Sequence, residues 1–235
     1  MLTIATWLWG TKFSADDVAK LVGGLRRNLR RPFRFLLIAD RPFSHARDYR
    51  YVDSMIFSVA EIPPEDRYLL ERPGCLARLR MFDPVWQQAV QIDDRLVCVD
   101  LDTVITGELD PLFARVEPFV IMQGGNAANP CPYNGALMML RRGCNPHVWR
   151  EFSIDAVAKT PFFEFPDDQG WLAAKLPGAA GWKCGSESGV YVFRKPGWPE
   201  STNELPAGAR LVTFNGRRQP AGFAQLPWVE KHWRP

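Results

Sequence analysis

The chain has 235 residues, of which 46% are hydrophobic and 23% charged, with a formal net charge of +3. That length holds one α/β-sized domain with a substantial core, and the composition is that of an ordinary soluble globular protein. So small a positive charge does not argue for a nucleic-acid binder and merely permits an anionic small ligand.

No apolar run reaches the roughly 18 residues of a membrane span. The opening MLTIATWLWG lacks a basic leader and a small-residue cleavage site, so it reads as a first strand and not as a signal peptide. After Gly10, SADDVAKLVGGLRRNLRR predicts a helix. Ser14 is its cap, Asp17 gives a near-match to the capping box, and Val18, Leu21, Val22, Leu25 and Leu29 share one face. The pair Gly23-Gly24 weakens that helix and suggests close packing against a sheet. PFRFLLIAD, ending in Asp40, is the next strand, which makes a βαβ unit with a parallel pair. DSMIFSV reads as a further strand, EIPPEDRYLLERPG as a proline-broken loop, and CLARLRMFDPVWQQA as helical in two pieces split at Pro84. RLVCV, EPFVIMQ and NGALMML are strand-like. NPHVWREFSIDAVAK predicts one helix with Asn145 as cap and Pro146 at its first position, and DDQGWLAAKL a short helix. From Pro177 onward the chain is rich in Gly, Pro and Trp, with short strands at GVYVF and ARLVTF. No repeat, low-complexity tract or linker interrupts it, so one domain over 1–235 is expected. The 5 cysteines are scattered, odd in number and without a CxxC pair, which implies reduced thiols and a cytoplasmic location.

The informative stretch is DRLVCVDLDTVITGELDPLF, where the apolar run Leu96-Val97-Cys98-Val99 ends in Asp100-Leu101-Asp102. On an extended chain residues i and i+2 point to one side, so the two carboxylates meet at a strand's C-terminal end while Leu101 turns into apolar packing. Paired carboxylates repel unless a cation or proton lies between them, and hard oxygen ligands suit Mg²⁺ or Mn²⁺. Ligands of open α/β sheets gather beyond the carboxyl ends of strands. Position and chemistry agree on a metal–diphosphate site. The bland alternative is a loop with two solvated aspartates. A sharper rival is a phosphatase of the haloacid dehalogenase type, with the first aspartate as nucleophile and the second as general acid. That rival expects its motif near the chain start, whereas here almost a hundred residues precede it.

In order along the chain, ATWLWGTKFSADDVAKLVGGLRRNL, FRFLLIAD, CLARLRMF, VCVDLDTVITGELDPLF, YNGALMML, FPDDQGWL and LVTFNGRRQP resemble glycosyltransferase family 8 and its bacterial relatives. These are glycogenin-like, retaining transferases that use nucleotide sugars and have the GT-A fold. The resemblance implies a single α/β GT-A-like domain with a mixed, mostly parallel central sheet flanked by helices. Residues 1–113 would form the nucleotide-sugar half, and 114–235 the acceptor-side half and C-terminal tail. It implies transfer of a hexose from a UDP-sugar to a hydroxyl on a glycan, lipid-linked or protein acceptor. Asp100 and Asp102 would bind Mn²⁺ (or Mg²⁺). Thr6, Trp7 and Lys12 would meet uridine or phosphate, Asp40 would edge the nucleotide pocket, and Arg78 would hold the diphosphate or sugar. Asn134 would bind hydroxyls, and Asp168 and Gln169 would sit near the anomeric carbon. A neutral amide such as Gln169 is a poor nucleophile, so front-face attack with retention is expected rather than the two-carboxylate pattern of glycosidases.

The chain departs from that pattern near its end. The family's late histidine ligand is replaced by Asn215, or by Thr213 in another register, beside Gly216. Its phosphate-binding lysine becomes Gln219, with Arg217 and Arg218 adjacent to supply charge. Both changes weaken the clamp, so a non-catalytic nucleotide-sugar or glycan binder on the same fold is the alternative from another class. His45, His147 and His232 have no mutual metal spacing and read as surface or helix residues. Trp182 and Trp198 are the candidates for sugar stacking. RRNLRR at 26–31 reads as a helix end favoured by the macrodipole, or as a dock for an anionic membrane surface.

Overall fold

A computed structural model describes residues 1–43, 55–125, 130–161, 167–199 and 202–235. Strand β1 (Leu2–Leu8) is buried along its whole length and leads into helix α1 (Ala15–Asn28). The helix starts where its sequence says: Asp17 Oδ2 accepts from both the backbone N–H and the hydroxyl of Ser14, each at 2.8 Å. Val18, Leu21, Val22, Leu25 and Leu29 are all buried, as the 3.6-residue period requires. The two glycines face different neighbours. A Cβ at Gly23 would lie 2.3 Å from the Pro235 backbone, and one at Gly24 would lie 3.1 Å from the Ile105 side chain.

Strands β2 (Phe33–Ala39), β3 (Met55–Glu61) and β4 (Arg95–Val99) follow. Strand β1 pairs in parallel with β2 on one side and β4 on the other, and β2 with β3. Short β5 (Thr103–Ile105) comes next, then β6 (Phe119–Gln123), β7 (Tyr133–Arg141) and β8 (Ala180–Lys183). Among the described residues the main sheet has 7 strands in the order β3-β2-β1-β4-β7-β6-β8. Only β7 runs against its neighbours, β4 and β6. This is the mixed, mostly parallel sheet expected. Strands β5, β9 (Val190–Val192) and β10 (Leu211–Thr213) form a separate 3-stranded sheet in the order β5-β10-β9.

The remaining helices are short. The segment Leu76–Phe82 is a 3₁₀ helix, and α2 (Pro84–Ala89) follows it with Asp83 as cap, so the break expected at Pro84 is present. The single helix expected after Asn145 is two: α3 (His147–Arg150) and α4 (Ile154–Val157). Asn145 has φ +50° and is no ordinary cap. Ser153 accepts from the Ala156 N–H at 3.1 Å and starts a new helix instead. Helix α5 (Asp168–Lys175) is capped by Asp167, which accepts from the Gly170 N–H at 2.6 Å. Helix α6 (Pro227–His232) packs with β9 and β10. The two faces of the main sheet carry two cores, one around α1 and one around the 3₁₀ segment, α2, α3 and α5.

Several sequence expectations change here. Two of the four arginines of residues 26–31 are held within the chain. Arg27 donates to the carbonyls of His232, Arg234 and Pro235 at 2.7–2.9 Å, and Arg31 pairs with Asp110 at 2.9 Å. They strap α1 to the end of the chain and to the segment after β5, while Arg26 and Arg30 stay exposed. Trp182 and Trp198 are buried, their indole N–H groups donating to the Leu112 and Thr202 carbonyls, so neither offers an open stacking face. His147 contacts the Lys175 carbonyl at 3.4 Å. His45, and Asp53 and Ser54 of the third strand's expected start, lie outside the described residues. Among the described residues no helix is long and apolar enough to cross a membrane.

Candidate functional site

The chain leaves β1 in one direction, through α1 to β2 and β3, and later returns to β1's other side with β4. Such a reversal opens a crevice at the carboxyl ends of β1 and β4, where ligands of open α/β sheets bind. Asp100 immediately follows β4, its N–H donating to the Ala136 carbonyl at 3.0 Å. Residues 101 and 102 form a turn and not an extended strand end. The turn nevertheless keeps both carboxylates at the rim of one cavity of about 150 Å³, lined by Trp7, Trp9, Lys12, Phe13, Cys75, Arg78, Asp100, Leu101 and Asp102.

Because β7 is antiparallel to β4, its first residues lie beside β4's last. That places Asn134 and Gly135 next to the acidic pair and brings α5 over them. Arg78, 5% exposed, joins the parts. It donates to Asp100 Oδ1, to the Gly135 carbonyl at 3.1 Å and to Asp168 Oδ2 at 2.6 and 2.9 Å. Gly135 makes this possible: a Cβ there would lie 2.5 Å from the Arg78 guanidinium. Burial opposes the guanidinium's charge, but Asp100 and then Asp168 outweigh it and hold Arg78 firmly cationic. Burial pushes Asp168 upward while Arg78 pulls it down. Arg80, two residues on, takes a purely structural part with Asp66 and Asp83.

Asp102 is only 7% exposed. Burial first, then repulsion from Asp100, pushes it up to about 7. Lys12 Nζ lies 3.5 Å from its Oδ2, and Thr213 Oγ1 lies 3.4 Å from its Oδ1. The contact from the late segment to the acidic pair thus comes from Thr213, in the alternative register, rather than from Asn215. Gly216 offers its carbonyl to Lys12 at 3.3 Å, and Gln219 donates its amide to the Lys12 carbonyl at 3.4 Å. Arg218 donates to the Phe193 carbonyl at 3.2 Å, and Arg217 is exposed.

The other expected site residues are engaged in the fold. The Thr6 hydroxyl is fully buried and donates to the Val99 carbonyl at 2.8 Å, tying β1 to β4. Asp40 Oδ2 accepts from the Gly10 N–H at 2.9 Å, shaping the loop after β1. Asn134 accepts from the Ala136 N–H at 3.0 Å, so it satisfies its own turn. The Gln169 carbonyl accepts from the Gly135 N–H at 3.0 Å, and its amide donates to Asp167 at 3.1 Å. Sequence reasoning missed Gly135, Trp9, Phe13 and Cys75. No pattern marks them; only the meeting of the β1 loop with the segment before Arg78 makes them neighbours. Cys75 borders the cavity as a neutral thiol, since burial pushes it up to about 12.

The donor set can be tested against a divalent ion. Asp100, Asp102 and Asp168 are three carboxylates facing two cations, Arg78 and Lys12. With all ionised, one negative charge is in excess, and repulsion from Asp100 adds to the larger effect of burial in raising Asp102. A further hard cation at the cavity rim relieves it, so the residues fit such an ion. The fit rests on two cavity-facing carboxylates, for among the described residues no group of three or more His, Cys, Asp or Glu gathers to hold a metal.

No family model matches the chain, and no curated protein matches it in sequence. Its fold, by contrast, has solved counterparts. One is an active-site glutamine-to-glutamate mutant of LgtC, similar over 97% of this chain and 93% of that one, with a TM-score of 0.59 and 13% identity. Another is the galactosyltransferase LgtC in complex with donor and acceptor sugar analogues, with 98% and 96% coverage, a TM-score of 0.58 and 11% identity. At these identities the likeness establishes the fold: the chain has the GT-A-like architecture of glycosyltransferases.

Proposed function

We propose that the protein is a glycosyltransferase that moves a hexose from a UDP-sugar to a hydroxyl acceptor with retention of anomeric configuration. The observation that carries this is the buried Arg78, which lines the cavity beside Asp100 and binds both Asp100 and Asp168, 22 and 90 residues away in sequence. The fold shared with LgtC supports it. The nucleotide-sugar half would be 1–113, with the acceptor side in 114–235.

Asp100 and Asp102, with Thr213 or Asn215 nearby, would hold a Mn²⁺ or Mg²⁺ ion. When bound, such an ion neutralises the charge that builds on a leaving diphosphate without needing a proton donor. Arg78 cannot leave its carboxylates cheaply, so it serves as a rigid frame that orients Asp100 and Asp168. Asp168, 1% exposed, would accept hydroxyls of the donor sugar only through an opening of the chain above it. The aromatic walls Trp7, Trp9 and Phe13 suit a flat base and exclude water. Asp40, Gly216, Arg217 and Gln219 would support the nucleotide from the loops around the cavity, with Thr6 acting beneath them by tying β1 to β4, and Asn134 would contribute to hydroxyl binding. Gln169 faces the anomeric carbon only if its bonds to Gly135 and Asp167 open.

The partners would be a nucleotide sugar and a glycan, lipid-linked or protein acceptor rather than a nucleic acid, met in the cytoplasm or at the membrane's inner face. One observation favours a second reading, a binder that does not transfer. Gln219 stands where resemblance places a phosphate-binding lysine, and its amide is turned to the Lys12 backbone. A phosphatase is disfavoured because its nucleophile, Asp100, is held by Arg78.

Incubation with Mn²⁺ and a panel of UDP-sugars tests the proposal. Slow UDP release without acceptor, faster with one, is expected. UDP binding without release would favour the binder, and phosphate release from small phosphomonoesters without UDP affinity would favour the phosphatase.

A further inference from the structure

We propose that Lys12 is a tethered competitor for the cation position beside Asp102, so that a divalent ion enters only as the lysine ammonium swings away. This deepens the donor-site reading above and rests on its metal component.

Lys12 Nζ touches three electron-rich groups: the Asp102 carboxylate at 3.5 Å, the Gly216 carbonyl at 3.3 Å and the Phe13 ring at 4.6 Å. Carboxylate, carbonyl and π face are what a cation seeks. The two cations of the acidic cluster differ in how firmly they are placed. Arg78 is 5% exposed and spans two carboxylates and a carbonyl. The Lys12 side chain is 46% exposed and its contact with Asp102 is longer than the roughly 2.8 Å of a tight charge-assisted bond. One cation is fixed and the other exchangeable.

Asp102, by contrast, is buried, and a buried carboxylate with no counter-charge is costly. Lys12 therefore serves as a resident counter-ion. An ion bound to Asp102 would be repelled by an ammonium on the same carboxylate, so one must leave. Lys12 has the freedom to do so, and its backbone stays anchored because Gln219 donates to its carbonyl. A displaced ammonium remains at the rim of the same cavity, where an anionic ligand group would receive it. Metal entry and anion entry are thereby coupled, and the coupling is reciprocal.

The test titrates Mn²⁺ alone, without nucleotide, into the full chain by electron spin resonance. Lys12→Met should bind Mn²⁺ about five- to tenfold more tightly than wild type, and Lys12→Arg, which keeps the charge, should not. Asp102→Asn should remove the site in either background. Equal or weaker Mn²⁺ affinity in Lys12→Met, with binding still lost in Asp102→Asn, overturns the competition while leaving a metal at the acidic pair. No Asp102-dependent Mn²⁺ binding in any variant overturns both. Thermal melting of Lys12→Met verifies that it folds.

Discussion

Two buried regions of this molecule are built on opposite principles. Around Arg78 the chain buries ions: Arg78, Asp102 and Asp168 are all under 9% exposed. Around Phe193, in the small sheet and α6, it buries rings instead. Phe193 meets Phe214 at 4.8 Å, Trp198 at 5.1 Å, Phe223 at 4.9 Å and Trp228 at 5.8 Å between centroids. Aromatic pairs add about 0.5–1.5 kcal/mol each beyond area burial. A buried ion pair adds little net stability but is costly to break on one side only. The aromatic region holds the late segment in place, and the ionic region spends stability on a charged rim.

Arg78→Met should break this contrast most severely. It strands Asp100 and Asp168, and about 3–5 kcal/mol of stability should be lost, read from urea unfolding. Adding Asp100→Asn and Asp168→Asn to that variant should return most of it while leaving UDP binding abolished. If the single variant is as stable as wild type, the ionic frame is not what holds the parts together. Phe193→Leu should cost about 1–2 kcal/mol and leave Mn²⁺ and UDP affinity of the folded protein unchanged. A loss of UDP affinity would mean that the aromatic region shapes the site and is not merely its support.

The smallest effect concerns pH. In metal-free protein Asp102 is raised from its ordinary value to about 7. The folded state then holds this proton more tightly than the unfolded chain, so Asp102 lowers stability as pH rises from about 4 to about 7. Asp102→Asn should therefore melt a few degrees above wild type at pH 8, the gain vanishing towards pH 4. A gain that is independent of pH, or largest in acid, contradicts a strained carboxylate.

The elements legible in sequence were those that show a period, a cap or an apolar run between turn residues: β1 to β4, β6, β7, β9, β10, α1, α2 and α5. Strands β5 and β8 and helix α6 were not: β5 and β8 are defined by pairing with β10 and β6, which lie far away in sequence. Likewise Trp182 and Trp198 carry no mark that distinguishes a stacking platform from a core residue. Burial decides that.

The same division runs through the site. Asp100-Leu101-Asp102 after an apolar strand could be read directly, since neighbours in sequence must be neighbours in space. Sequence alone therefore determined the α/β class, the acidic pair and its place at a strand's end. Only the tertiary structure decided that Arg78 lies between Asp100 and Asp168, that Gly135 makes room for it, and that Lys12 reaches Asp102 rather than solvent. Those contacts join residues 22, 90 and 90 positions apart. No local pattern encodes them, because they arise where the reversal of strand order and the antiparallel β7 bring separate loops to one rim.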